Sequence, residues 1–285
     1  MKLCLGSANF GTPYGAYKIN KFAATDFDNI IKLSKKSNIK FLDTAENYKG
    51  TEKILSSKKF YNFKIITKVH IEDKNPNYLN NLEEKIIKLQ KIFNHNLYAI
   101  LIHNYEDLDI GKIENCFKIL KKAKKKKIIK KFGISIYNFK KIKFLDKTSP
   151  DIIQAPFNIF DQRLLKNGMI NFIYKKKIQL HIRSSFLQGT LVQKKLPKYL
   201  KKFKNEYDEW FEYCQKKKID PLRGCIDFIK QYKNKISFLV VGFNAPKELL
   251  DIVKKYKIST KVSKKSYKQF SKTNINLIDP RKWKK

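Results

Sequence analysis

Eight short apolar runs recur along the chain, and each is followed by a stretch with helical character. The runs fall at residues 3–7, 39–42, 65–67, 97–102, 129–135, 151–154, 179–183 and 237–241. Helical segments are expected at 25–37, 51–57, 77–93, 110–127, 139–145, 164–174, 206–216, 222–232 and 246–256. The segment 77–93 shows the pattern best, with Leu79, Leu82, Ile86, Leu89 and Ile92 returning every three or four positions. Thr25 followed by Asp28 signals a capped start for the first helix. Continuous apolar strands without alternation are buried on both faces, as in a parallel sheet covered by helices. The pattern therefore predicts the α/β class and a parallel (β/α)8 TIM barrel, one domain over residues 1–285 with a tail at 259–285. An open doubly wound sheet competes. It would want a G-x-G-x-x-G turn after the first strand, and Gly6, Gly11 and Gly15 do not make one.

The formal net charge of +38, from 63 Lys+Arg against 25 Asp+Glu, raises the question of an anionic partner. The lysines are spread along the whole chain, and Lys, Asn, Ile, Phe and Tyr are all heavily used, a profile that AT-rich codons produce by themselves. The densest basic run, residues 121–131, has no interleaved aromatics for base stacking. It closes a helix, where lysines suit the dipole. Nucleic acid is not an expected partner. Cys4, Cys116, Cys214 and Cys225 form neither a C-x-x-C pair nor a metal-ligand spacing, so no metal site is expected and reduced thiols fit better. Residues 1–6 lack the apolar stretch of a signal peptide, and no apolar run approaches the roughly 18 residues of a membrane span. A cytoplasmic protein without a membrane partner is the expectation.

Three successive strands end on reactive side chains. Asp43 closes the second, with Tyr48 in the turn beyond it; Lys68 closes the third and His103 the fourth. In a parallel barrel the C-terminal strand ends share one face, where the chemistry gathers. An acid, a phenol, an amine and an imidazole thus converge. Such a set suits carbonyl reduction, which needs hydride at carbon, a proton at oxygen and stabilisation of the developing alkoxide. Tyr48 would be the general acid. Lys68 would lower the phenol pKa from its usual value of about 10, and Asp43 would hold Lys68. His103 would donate a hydrogen bond to the carbonyl. His70, His95 and His181 have no comparable setting and are read as structural.

With those residues in place, the sequence resembles the aldo/keto reductases. The segments FLDTAENY (41–48), ITK (66–68), LIHN (101–104), GIS (133–135), IQAPFN (153–158) and VG (241–242) match family landmarks in order and on the right strands. LGSANFG (5–11), RSSFLQG (183–189) and DPRKW (279–283) are similar to a bacterial branch often linked to surface-polysaccharide gene clusters. The resemblance implies a nicotinamide dinucleotide as cofactor, NADPH by family default with NADH as the alternative. Ser135 and Gln154 would hold the carboxamide, although Ile136 replaces the Asn that commonly follows the Ser. Arg183 stands where an aromatic commonly stacks on the nicotinamide. Ser184, Leu187 and Gly189 would run beside the pyrophosphate, and Gly242, Asn244 and Lys247 would meet the adenosine end. Glu248 aligns with the position where many NADPH-using relatives place an Arg.

The chain begins on the first barrel strand, where many relatives carry a hairpin. The basic loop 193–205 and the tail 259–285 occupy places that often shape the substrate pocket. Lining it, they would favour an anionic or phosphorylated, sugar-like carbonyl compound. A small-molecule carbonyl substrate is the expected partner. The competing reading is a cofactor-binding regulatory protein with little or no turnover. Substrate and oligomeric state stay open.

Overall fold

The computed structural model describes residues 1–17, 22–139, 142, 149–258 and 265–283. Eight strands form a closed parallel barrel in sequence order: β1 (Lys2–Gly6), β2 (Phe41–Asp43), β3 (Lys64–Val69), β4 (Leu97–Ile102), β5 (Lys131–Ser135), β6 (Ile152–Pro156), β7 (Gln179–Arg183) and β8 (Phe238–Val241). β1 pairs with both β2 and β8, so the sheet has no edge to protect. The (β/α)8 barrel is therefore the observed fold.

The helices are α1 (Ala24–Lys36), α2 (Thr51–Leu55), α3 (Tyr78–Phe93), α4 (Ile110–Lys125), α5 (Met169–Lys175), α6 (Lys204–Lys216), α7 (Pro221–Lys230), α8 (Pro246–Lys257), α9 (Lys265–Lys268) and α10 (Ile275–Ile278). Their apolar stripes face the barrel. On α3, Leu82, Ile86, Leu89 and Phe93 are buried at helical spacing. Caps set the boundaries. Asp109 accepts from the Lys112 amide at 2.8 Å ahead of α4, and Asp220 from the Arg223 amide at 2.9 Å ahead of α7, which has Pro221 at its first position. α1 starts differently from the expectation. Its cap is Ala23, whose amide donates to Asp26 at 2.8 Å, so Asp26 rather than Asp28 closes the first turn. The start of the helix expected at 164–174 is a 3-10 turn, Arg163–Gly168, which runs into α5. The helix expected at 139–145 lies largely outside the described residues.

Residues alternate in and out along each strand. The interior is packed by Cys4, Ile66, Ala99, Leu101, Ile152, Phe238 and Val240, with Phe41 and Tyr98 partly buried against them. The Phe41 and Phe238 ring centroids lie 4.5 Å apart. Gly133 is needed in this layer because a Cβ there would stand 2.1 Å from the Ile152 carbonyl oxygen. The same parity carries Asp43, Lys68, Ser135, Gln154 and Arg183 to the inner side at the strands' C-terminal ends. No helix among the described residues is long and apolar enough to cross a membrane.

Candidate active site

The C-terminal ends of the strands open into a cavity of about 780 Å³. At its floor Lys68 and Asp43 are almost wholly buried, with Nζ 2.5 Å from Asp43 Oδ1. The ammonium also donates to the Thr44 carbonyl at 2.7 Å. The other carboxylate oxygen of Asp43 accepts from Gln154 Nε2 at 2.6 Å, across from β6. Both ions are thus hydrogen-bonded as well as paired, which a buried ion pair requires. The exits of the neighbouring strands are fixed too. Glu46 accepts from the His70 amide and from Lys85 Nζ, and the Asn104 side chain pairs with both backbone groups of Ile71, each at 2.9 Å.

Tyr48 stands in the turn between β2 and α2, with its amide bonded to the Ala45 carbonyl at 3.0 Å. Its ring lies 5.4 Å from Lys68 Nζ. The phenol pKa is raised, first by burial and then by the Asp43 charge, with Arg183 acting the other way. The direction is opposite to the lowering expected from Lys68, because burial of the phenol, and after it the Asp43 charge, outweighs any cationic neighbour. The phenol accordingly keeps its proton at neutral pH. Burial, Lys68 and Arg183 push the His103 pKa down to about 3, so its imidazole is neutral at neutral pH.

Asp43, Tyr48, Lys68 and His103 all line the cavity, and so do Arg183, Ser184, Gly189, Gly242 and Asn244. Ser135 and Gln154 lie buried beneath its surface. Leu187 is fully buried and is not part of the lining. Lys247 is exposed and not part of the lining, whereas Glu248 is part of it. Glu248 accepts from the Asn244 amide at 2.9 Å.

The cavity holds residues that the sequence reading missed. His70, read as structural, lines it beside His103. Strand parity was the available signal, since an inward Lys68 implies an inward His70. The same step from Ser135 leads to Tyr137, another lining residue. Of the basic loop 193–205, only Gln193 reaches the lining; of the described tail, only Arg281 does. No carboxylate pairs with Arg183 among the described residues. Its guanidinium donates to the Ile136 carbonyl at 2.9 Å and lies 3.7 Å over the Tyr137 ring.

A nicotinamide dinucleotide fits the residues present. The hydroxyl of Ser135 and Oε1 of Gln154 are buried without a partner among the described residues, on adjacent strands and in register with each other. Together they offer a donor and an acceptor, as a carboxamide demands. Ser184, Leu187, Gln188 and Gly189 all have positive φ, so this loop turns back on itself, closed by bonds from the Leu187 amide to the Ser184 carbonyl at 3.0 Å and from the Gly189 amide to the Phe186 carbonyl at 2.9 Å. A Cβ at Gly242 would meet nothing within 4 Å, which leaves open space beside α8.

His181 sits deeper, inside the barrel, fully buried with its ring edge-on to Phe238 at 4.8 Å. Neither ring nitrogen meets a partner among the described residues, and burial holds its pKa at about 3. An unfolded chain has a histidine pKa of about 6.5. Between those values the unfolded state binds a proton that the native state refuses, so stability falls as pH falls. The slope for this residue reaches about 1.4 kcal/mol per pH unit. In urea unfolding, His181→Leu is expected to shrink the stability difference between pH 7.5 and pH 5 by roughly 1–2 kcal/mol. An unchanged difference would remove His181 as its source.

The profile of the aldo/keto reductase family matches residues 2–275. No curated protein matches the sequence. Among solved structures, an aldo-keto reductase of Bacillus halodurans in its holo form superposes with a TM-score of 0.73 at 15% identity, covering 99% of this chain and 95% of that one. A glycerol dehydrogenase of Gluconobacter oxydans gives 0.71 at 15% identity, covering 98% and 92%. An aldo-keto reductase from a Medee basin deep-sea metagenome gives 0.65 at 15%, covering 97% and 94%.

Proposed function

The chain belongs to the aldo/keto reductase family of nicotinamide-dependent oxidoreductases, and from that premise we propose that it reduces an aldehyde or ketone to the alcohol with Tyr48 as proton donor. The observation that carries this reading is the buried Asp43–Lys68 pair beneath a protonated Tyr48, with neutral His103 on the same cavity.

A bound nicotinamide would supply the hydride. The protein's residues handle the proton and the geometry. Neutral His103 donates a hydrogen bond to the carbonyl oxygen and fixes its approach. As carbon gains the hydride, the oxygen becomes an alkoxide and takes the Tyr48 proton, leaving a phenolate that is reprotonated from solvent in the open cavity. Lys68 stabilises that phenolate when it forms, and Asp43 with the Thr44 carbonyl keeps the ammonium in place. The Ser135 hydroxyl and Gln154 Oε1 would hold the carboxamide, the loop from Ser184 to Gly189 the pyrophosphate, and Asn244 with Glu248 the adenosine ribose.

The ribose end favours NADH over the family default. Glu248, Asp220 and Asp251 line it. Lys255 sits 2.6 Å from Asp251 and 3.6 Å from Asp220. A carboxylate accepts hydrogen bonds from a ribose diol and repels a 2′-phosphate. Glu248→Gln keeps the bond from the Asn244 amide, and Glu248→Arg reverses the charge. NADPH affinity relative to NADH is expected to rise about tenfold in the first and more in the second, read by quenching of protein fluorescence.

The function itself is tested by titrating the protein with NADH and NADPH and following nucleotide oxidation with a panel of small aldehydes. Binding with turnover supports the reductase. Binding without turnover supports the regulatory alternative, and no binding of either nucleotide removes the cofactor assignment.

A further inference from the structure

Two guanidinium groups bracket one phenol ring at the cavity mouth. Arg183, from the end of β7, lies 3.7 Å from the centroid of Tyr137, and Arg281, from the C-terminal tail, lies 3.4 Å from the same centroid. All three residues line the cavity that Tyr48 and His103 share. The charges of both guanidinium groups reach His103, and that of Arg183 reaches Tyr48.

The arrangement is built rather than incidental. Glu106 accepts from the backbone amides of Tyr137 and Asn138, which fixes the loop after β5. The other Glu106 oxygen meets Arg281 at 3.4 Å. Asp279, itself buried, takes Arg281 Nε at 3.0 Å and its NH2 group at 2.7 Å. The tail is pinned on either side of this arginine: Leu277 and Ile278 are buried, and Trp283 donates to the Leu277 carbonyl at 3.2 Å.

The charge balance is uneven. Asp279 and Glu106 answer Arg281. Arg183 is partly buried, and no carboxylate among the described residues answers it. Its acceptors are neutral, the Ile136 carbonyl and, at 3.4 Å, the Ser184 hydroxyl. A guanidinium has five N–H donors in a planar fork shaped for a carboxylate or phosphate. Holding such a cation against a reduced dielectric without a counter-ion is unfavourable unless a ligand supplies one.

We infer that Arg183 and Arg281 receive the anionic end, a carboxylate or a phosphate, of the substrate whose carbonyl lies at Tyr48 and His103. The inference rests on the reductase reading for the carbonyl end only. Across the ring the two guanidinium groups stand about 7 Å apart, a gap that the separate oxygens of one carboxylate or phosphate at the ring edge can bridge, one oxygen toward each fork. The substrate class is a small carbonyl compound with an acidic group a few bonds from the reacting carbon. Arg183 supplies a guanidinium that no carboxylate among the described residues contacts, and Arg281 supplies directionality from a fixed tail.

The test has a binding arm and a turnover arm, each run on the wild type, Arg281→Met and Arg281→Lys. In the first, inorganic phosphate and succinate are titrated at constant ionic strength, followed by protein fluorescence. In the second, kcat/KM is measured for three aldehydes of matched size, one neutral, one carboxylate-bearing and one phosphate-bearing. Saturable binding of one anion is expected, weakened by roughly tenfold or more in Arg281→Met and less in Arg281→Lys. The aldehyde carrying that anion should lose a similar factor, mainly through KM, while the neutral aldehyde changes by less than about threefold. Whichever anion binds better identifies the headgroup. The inference is overturned if neither anion binds saturably, or if Arg281→Met lowers the neutral and anionic substrates alike. Anion binding that depends on Arg281 without turnover of any aldehyde would uphold this site and defeat the reductase reading. Turnover indifferent to substrate charge, with no anion binding, would do the reverse.

Discussion

Tyr48→Phe is expected to remove carbonyl reduction while leaving nucleotide binding in place. The substitution deletes one oxygen from a ring that no backbone element depends on, so the barrel is undisturbed. What disappears is the proton donor at the cavity. Losing a positioned acid costs roughly 10²- to 10⁴-fold in rate. The loss should fall on kcat and kcat/KM together, since the proton moves only as the alkoxide develops. The wild-type profile should also show no inflection in the reductive direction between pH 6 and 8. His103 is already neutral there, with its pKa held at about 3, and burial keeps the Tyr48 proton in place to well above neutrality. A Tyr48→Phe variant that retained a tenth of the wild-type kcat would assign the proton to another group.

Asp43→Ala should be the most destabilising change at the site. It strands the Lys68 ammonium, which is 1% exposed, without its counter-charge. Breaking a buried pair from one side costs about 3–5 kcal/mol, whereas replacing both ions by apolar groups is often nearly neutral. The double variant Asp43→Ala/Lys68→Met should therefore recover most of the stability lost by the single one, yet stay inactive because the phenolate has lost its stabilising charge. Denaturant midpoints for the single and double variants read the first statement, and aldehyde turnover reads the second. Equal destabilisation in both would mean that the pair's Coulomb energy is not what holds this layer together.

The barrel and the positions of three candidate residues at strand ends were legible in the sequence for one reason. A β/α unit repeats, so each strand ends at a countable place, and Asp43, Lys68 and His103 fall there. Parity along the strand extends the reading one step, to His70 and Tyr137. Beyond that step, legibility fails where a side chain belongs to a segment without a period. Arg281 comes from the tail, and nothing in the spacing of residues 265–283 says that it crosses to β5. The direction of the Tyr48 shift was also out of reach, because it depends first on how deeply the fold buries the phenol and then on the Asp43 charge. Lys247 and Glu248 were adjacent candidates at the start of α8, and only the helical rotation distinguishes the one that faces the cavity. Leu187 could be placed in the right loop, yet the burial of its side chain came from the fold.

Gln154 has a single amide with two faces. Its nitrogen is committed to Asp43 at 2.6 Å, which leaves its oxygen without a partner on the side where a carboxamide would bind. With a carboxamide held as proposed, the amide would work as a two-ended coupling bar between the nucleotide and the ion pair. Whatever strengthens one end polarises the other, and by reciprocity the effect is the same in both directions. Nucleotide affinity becomes a gauge of the charge state at the barrel floor. The proposed proton-donating half of the site and the proposed nucleotide-binding half would then be linked through this one side chain.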